Sequence, residues 1–176
     1  MTREGGMTDD EILTKHPPVE PVARLVWTAV VDVGDRQDLG ASASGHRFLV
    51  PILGGRFYAG PGIAGLSGEV LPGGADRQLL RPDGVKELDA LYEMQTEAGA
   101  VLTIRNRVIV DDARQPDRYA MSVISVRAPT GPLDWLNRRL LLGTLQSARP
   151  DRAAVVVRAW EADASTPPRE GTTRRG

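Results

Sequence analysis

Glycine- and proline-bearing turns recur in this chain about every ten residues, where GG, PG, PDG and AG pairs break short runs rich in Val, Ile, Leu and Tyr. Strands joined by tight turns fit between such breaks; long amphipathic helices do not. The runs place strands at 22–32, 45–57, 63–71, 75–80, 86–95, 100–110, 119–127, 139–146 and 153–161. About nine strands with hardly any helical periodicity predict an all-β chain folded as a single antiparallel barrel or sandwich. The one helical candidate is a short connector in GPLDWLNRRL, where Asp134 is placed to cap a turn and the segment to lie across one end of the barrel.

The chain has 176 residues, 41% apolar and 26% charged, enough for one domain with its own core. Residues 1–21 are polar and end in a proline-bearing stretch, and 163–176 have little apolar surface to bury; both read as flexible tails around a domain over 22–162. Net charge is −1, so no overall field draws nucleic acid or an anionic membrane. With no cysteine and two histidines, His16 and His46, disulfides, thiolate chemistry and a histidine-rich metal site are not expected. No apolar run approaches the roughly 18 residues of a membrane span, and no signal peptide is evident. The expected setting is cytoplasmic, with no cofactor and no metal.

Two segments carry most of the chemistry. In GEVLPGGADRQLLRPDG, 68–84, Gly73 and Gly74 suit a two-residue hairpin loop, because paired glycines supply positive φ. That register would put Glu69, Asp76 and Gln78 on one face. The RPDG of 81–84 has the residues of a type I turn. Over 86–109, a loop centred on Ala98 sets Asp89 opposite Arg107 and Leu91 opposite Arg105. Glu87, Asp89, Glu93, Thr103, Arg105 and Arg107 then share one face, with Asp89 and Arg107 as an exposed pair. The other is apolar except for Tyr92 and Asn106, whose phenol and amide need partners if buried.

The runs RFLVPILGGRF, LPGGADRQLLRPDG, IRNR at 104–107 and WLNRRLLLGT at 135–144 resemble the bacterial and fungal family called domain of unknown function 3237, over about residues 22–162. The resemblance implies a small, calycin-like antiparallel β-barrel and carries no assigned reaction. One departure stands out: Arg77 follows GGAD, where members commonly have tryptophan.

Two functions fit a barrel of this kind. One is a cofactor-independent acid/base enzyme, of isomerase, cyclase or lyase type, on a small organic substrate in its lumen. Glu69 or Asp76 would act as base once burial raises its pKa, Tyr92 would donate to an oxyanion, and Asn106, Arg107 or Asn137 would hold developing charge. The other is a carrier for an apolar small molecule, with Trp27, Trp135 and Trp160 as wall or cap. A third role is assembly, with an apolar outer face buried in a homodimer. An acid/base enzyme should bring Glu69, Asp76 or Asp89 to a cavity that also holds Tyr92 or Asn106, whereas a carrier needs no carboxylate there. An amide and a phenol on the inward face favour the enzyme.

Overall fold

The computed structural model describes residues 6–113, 116 and 118–164. Ten strands are present: β1 Pro21–Val33, β2 Gln37–Ser42, β3 Gly45–Ala59, β4 Gly68–Val70, β5 Ala75–Leu80, β6 Lys86–Thr96, β7 Val101–Asp111, β8 Tyr119–Arg127, β9 Leu141–Ser147 and β10 Ala154–Ala164. The predicted helical connector is a 3₁₀ turn, Asp134–Arg138. Asp134 does not cap it. The N-cap position is Leu133, with no side-chain cap, and Asp134 instead accepts from Arg138 one turn on at 3.2 Å.

Every pairing recorded between strands is antiparallel, and the order β1–β10–β9–β8–β7–β6–β4–β3 closes through β1–β3 into a ring of eight. The ring is barrel-like, as the turn spacing implies. β2 folds back on β3 outside it. Its sequence, QDLGAS, is polar and mostly exposed, so it lacks the alternation that marks a half-buried strand.

The largest correction concerns LPGG. Gly73 and Gly74 do not form a hairpin loop, because β4 and β5 lie end to end in one slot between β3 and β6, running in the same direction. Between Val70 and Ala75 the chain advances five positions, while β3 moves four, from Gly55 to Pro51, and β6 three, from Met94 to Leu91. The excess is taken up as a bulge. Gly73 Nα donates to the Ile52 carbonyl at 3.2 Å and the Gly74 carbonyl accepts from Ile52 at 2.9 Å. Only Gly73 needs a positive φ, +108°; at Gly74 a Cβ would meet Tyr92 Cβ at 2.5 Å and the Leu91 carbonyl at 2.6 Å. On either side of the bulge, Val70, Asp76 and Gln78 point in, while Glu69 and Arg77 point out.

The RPDG turn forms as expected. Gly84 N–H donates to the Arg81 carbonyl at 3.0 Å, with φ +86° at Gly84, and Asp83 accepts from the Val85 amide at 3.2 Å. The β6–β7 hairpin has the expected register, Asp89 opposite Arg107 and Leu91 opposite Arg105.

Within Ala23–Ala162 the core is largest at one end of the ring, where Trp27, Phe57, Leu66, Met94, Leu102 and Leu136 are fully buried. The 3₁₀ turn contributes Leu136 to this end, so it plugs the ring there. Among the described residues, 6–22 and 163–164 group as a separate unit. Residues 6–22 of that unit hold a helix, α1 Asp9–Lys15, within the stretch expected to be a tail. Thr8 caps it: the Thr8 side chain accepts from the Glu11 amide, and Glu11 reaches back to the Thr8 amide. The expected C-terminal tail beyond Ala164 lies outside the described residues. No helix among the described residues is long and apolar enough to cross a membrane.

Candidate functional site

Away from the plugged end, the inward faces of the strands become smaller. Val31 and Val33 of β1, Ala90 of β6, Val108 and Val110 of β7, Ala120 of β8, and Val155 and Val157 of β10 leave space where the other end has aromatic and long aliphatic side chains. The result is a cavity of about 200 Å³. Its walls are mainly apolar, broken on one side by Asp76 and Gln78 of β5, Tyr92 of β6 and Asn106 of β7. Arg118, Gln146 and Ser147, all exposed, stand at its mouth.

The register explains the grouping. Asp76, Ala90 and Asn106 occupy one row across β5, β6 and β7, so the small Ala90 separates the two polar side chains. Tyr92 is the next inward position of β6, held against the bulge by the close approach of Gly74.

Three polar atoms of this cluster, Asp76 Oδ1, Tyr92 Oη and Asn106 Oδ1, are buried with no hydrogen-bond partner. Unmade bonds of this kind cost about 1–3 kcal/mol each, so a group that supplies partners would be favoured there. Asp76 Oδ2 accepts from Gln78 Nε2 at 2.7 Å. Burial pushes the Asp76 carboxyl above the usual range, against the Gln78 amide and the Asp89 backbone N–H, while the Asp89 charge adds to the rise. Burial likewise pushes the Tyr92 phenol up, so it stays a neutral donor. Two further orphaned atoms, Trp27 Nε1 and Ser122 Oγ, lie outside the cavity lining.

The other candidates are elsewhere. Glu69 does not share a face with Asp76: it is exposed on β4, points outward, and pairs with Arg56 at 3.5 Å. Arg107 is exposed on the outer face of β7. Asp89 is also on the outside, and its partner is Arg105, through two bonds of 2.9 and 2.7 Å, instead of Arg107; this diagonal pair holds its carboxyl below the usual range. Asn137 is turned to the backbone of Ala128, accepting from its amide at 2.8 Å and donating to its carbonyl at 3.0 Å. Trp135 packs against the plugged core, Trp27 is inside it, and Trp160 donates to Thr144 at 3.1 Å; none lines the cavity. Arg77 is exposed on β5 and does not line this cavity.

The cavity residues Gln78, Arg118, Gln146 and Ser147 were not among the sequence-level site candidates. Gln78 has a signal, since it is two residues from Asp76 on a strand; the others come from loops and strand ends whose placement no local pattern fixes. Among the described residues, no three His, Asp or Glu side chains cluster as metal ligands would.

The sequence profile of a family described as protein of unknown function (DUF3237) matches residues 21–162. The chain belongs to this family. A UPF0311 protein of Rhodopseudomonas palustris is 40% identical over 83 residues, 47% of this chain and 52% of the relative, so the match spans about half of that protein's length. Its crystal structure, described as that of a conserved protein of unknown function, superposes with a TM-score of 0.71 and 28% identity over 84% of this chain and 99% of that one. A β-barrel-like protein of Acinetobacter baumannii, 20% identical, also has a TM-score of 0.71, over 84% of this chain and 99% of that one. A structure described as an enzyme from Penicillium herquei, 22% identical, has a TM-score of 0.64 over 83% and 97%. At these identities the last two show the shared DUF3237-like fold alone.

Proposed function

We propose that this member of the DUF3237 family is a cofactor-independent acid/base enzyme acting on a small organic molecule in the cavity, with chemistry of isomerase, cyclase or lyase type. The observation that carries the reading is the under-bonded carboxyl of Asp76, whose Oδ1 is buried without a partner in the wall of a mainly apolar cavity that Tyr92 and Asn106, with their own unpartnered Oη and Oδ1, also line. A raised carboxyl pKa makes Asp76 a stronger base once ionised than an exposed aspartate, and keeps more of it protonated at a given pH.

In an isomerisation, Asp76 Oδ1 takes a proton from carbon next to a carbonyl. In a substrate with a C=C beyond that carbon, the C–H pair forms a new C=C and the C=O pair moves to oxygen, which accepts a hydrogen bond from Tyr92; Asp76 then returns the proton to the far carbon of the original double bond as the C=O re-forms. No oxidant, reductant or second substrate is needed. Tyr92 donates without ionising, because burial keeps its phenol protonated. The Penicillium herquei neighbour, described as an enzyme, is compatible with catalysis on this fold.

The apolar majority of the wall favours a second reading, that of a carrier. The two separate in a screen of small carbonyl compounds for binding and conversion by the wild type and Asp76→Asn. Acid/base catalysis predicts conversion that falls about 10²- to 10⁴-fold in Asp76→Asn with binding largely kept. Binding without conversion by either protein would leave the carrier.

A further inference from the structure

We propose that the ligand of this cavity is a single-ring compound that presents hydrogen-bond donors, hydroxyl or N–H, toward two sides of the ring, and that it sits over Ala90 between Asp76 and Asn106. The inference rests on the reading of the cavity as a small-molecule site and adds the class of molecule.

Size sets the first limit. An apolar cavity of about 150 Å³ takes benzene. The 200 Å³ here therefore accommodates one substituted ring within its walls, and a second fused ring would have to project through the mouth.

Hydrogen-bonding chemistry sets the second limit. Asp76 and Asn106 both line the cavity and each holds a buried, unpartnered oxygen, and both oxygens are acceptors when Asp76 is ionised. Their strands are separated by β6 alone, so their backbones lie about 9–10 Å apart, two strand spacings. Directly between them β6 presents only the methyl of Ala90, flanked by the larger Leu88 and Tyr92. The row is a slot with acceptors on its two sides. A ring lying in it satisfies both oxygens only if it carries donors toward them. The Tyr92 hydroxyl at the inner end of the slot adds a donor for a ligand oxygen, which orients the ring in the cavity.

Three probes test this, with ¹³C-methyl NMR shifts of Ala90 and Ala120 as readout: 1,3-dihydroxybenzene, toluene as a ring of similar size with no donors, and 1,3-dihydroxynaphthalene as a two-ring diol. 1,3-Dihydroxybenzene should move both methyls and bind about 10-fold or more tightly than toluene, the worth of one or two hydrogen bonds, and more tightly than the naphthalene diol. Asn106→Leu should reduce that preference to about 3-fold or less, and Ala90→Leu should abolish binding by filling the slot. If Ala90→Leu fails to fold, Asn106→Leu still decides the donor rule. Toluene or the naphthalene diol binding at these methyls as tightly as 1,3-dihydroxybenzene would overturn the ligand class while leaving a small-molecule site in place. No shift of either methyl with any probe would overturn the class and the function reading together.

Discussion

The two ends of the ring interior are built by the same strands and differ in how they treat buried groups. At the plugged end, β7 presents Leu102 and Ile104 against Trp27, Phe57 and Met94, all fully buried. The buried carboxylate at that end, Glu161, accepts from Arg24 at 2.6 Å and from Arg139 at 2.8 Å. At the other end, β7 presents Asn106, Val108 and Val110 to open space, and the carboxyl there, Asp76, has one oxygen with no partner. One end is packed and its buried carboxylate is ion-paired on both oxygens, whereas the other keeps space around a carboxyl with one oxygen unpaired. Stability is therefore expected to be concentrated at the first end and ligand chemistry at the second.

The contrast breaks most readily by equal truncations at the two ends. Leu102→Ala should cost about 4 kcal/mol, because it opens a cavity in a filled core, while Leu145→Ala, on the cavity wall, should cost roughly half as much or less. Urea unfolding of the two variants gives the comparison directly, and equal losses would remove the distinction between the ends.

The bulge that positions Tyr92 comes next. Gly74→Ala forces a Cβ into Tyr92 and the β6 backbone and should cost about 1–3 kcal/mol. Gly73→Ala meets nothing within 4 Å and should cost about 1 kcal/mol through its positive φ alone. Had the two glycines formed a hairpin loop, both would depend on φ; thermal unfolding in which Gly73→Ala costs more than Gly74→Ala would favour the hairpin register.

A smaller effect is expected at the polar atoms themselves. Tyr92→Phe and Asn106→Leu each remove an unpaired buried group, so stability should stay within about 1 kcal/mol of wild type or rise, while ligand affinity or turnover falls about 10-fold. Strong destabilisation with unchanged activity would make both residues structural.

What the sequence made legible followed local rules. The β6–β7 hairpin could be read to the residue because a single short loop at Ala98 sets the register and strict alternation sets the faces. Tyr92 and Asn106 were thereby assigned to the interior. LPGG was misread because two glycines suit a tight turn and a bulge equally well; what decides is the presence of β3 and β6 on both sides, a fact of tertiary structure. That one difference moves Glu69 from the side of Asp76 to the opposite face. The Thr8–Glu11 capping box was a readable helix signal that the polar composition of the N-terminal stretch obscured. For Asn137, no strand pattern reveals that its amide would bond the Ala128 backbone.

The smallest expected effect is a pH dependence. Asp76 has a folded-state pKa above its ordinary 3.8, so the folded chain holds the proton more tightly than the unfolded one. Stability from this group is greatest below 3.8 and declines as pH rises from there through the raised folded value. Asp76→Asn should therefore gain stability relative to wild type at pH 7 and lose that advantage in acid, as measured by unfolding at a series of pH values.

The central claim, that the open end of the ring holds an under-solvated carboxyl poised for proton transfer, is tested most directly by the ¹³Cγ NMR titration of Asp76 with Asp89 as an internal reference. The account predicts a midpoint above 3.8 for Asp76 and below 3.8 for Asp89, because burial dominates at the first and Arg105 at the second. A midpoint for Asp76 at or below 3.8 would contradict it, since that carboxyl would then be as well satisfied as the one on the surface.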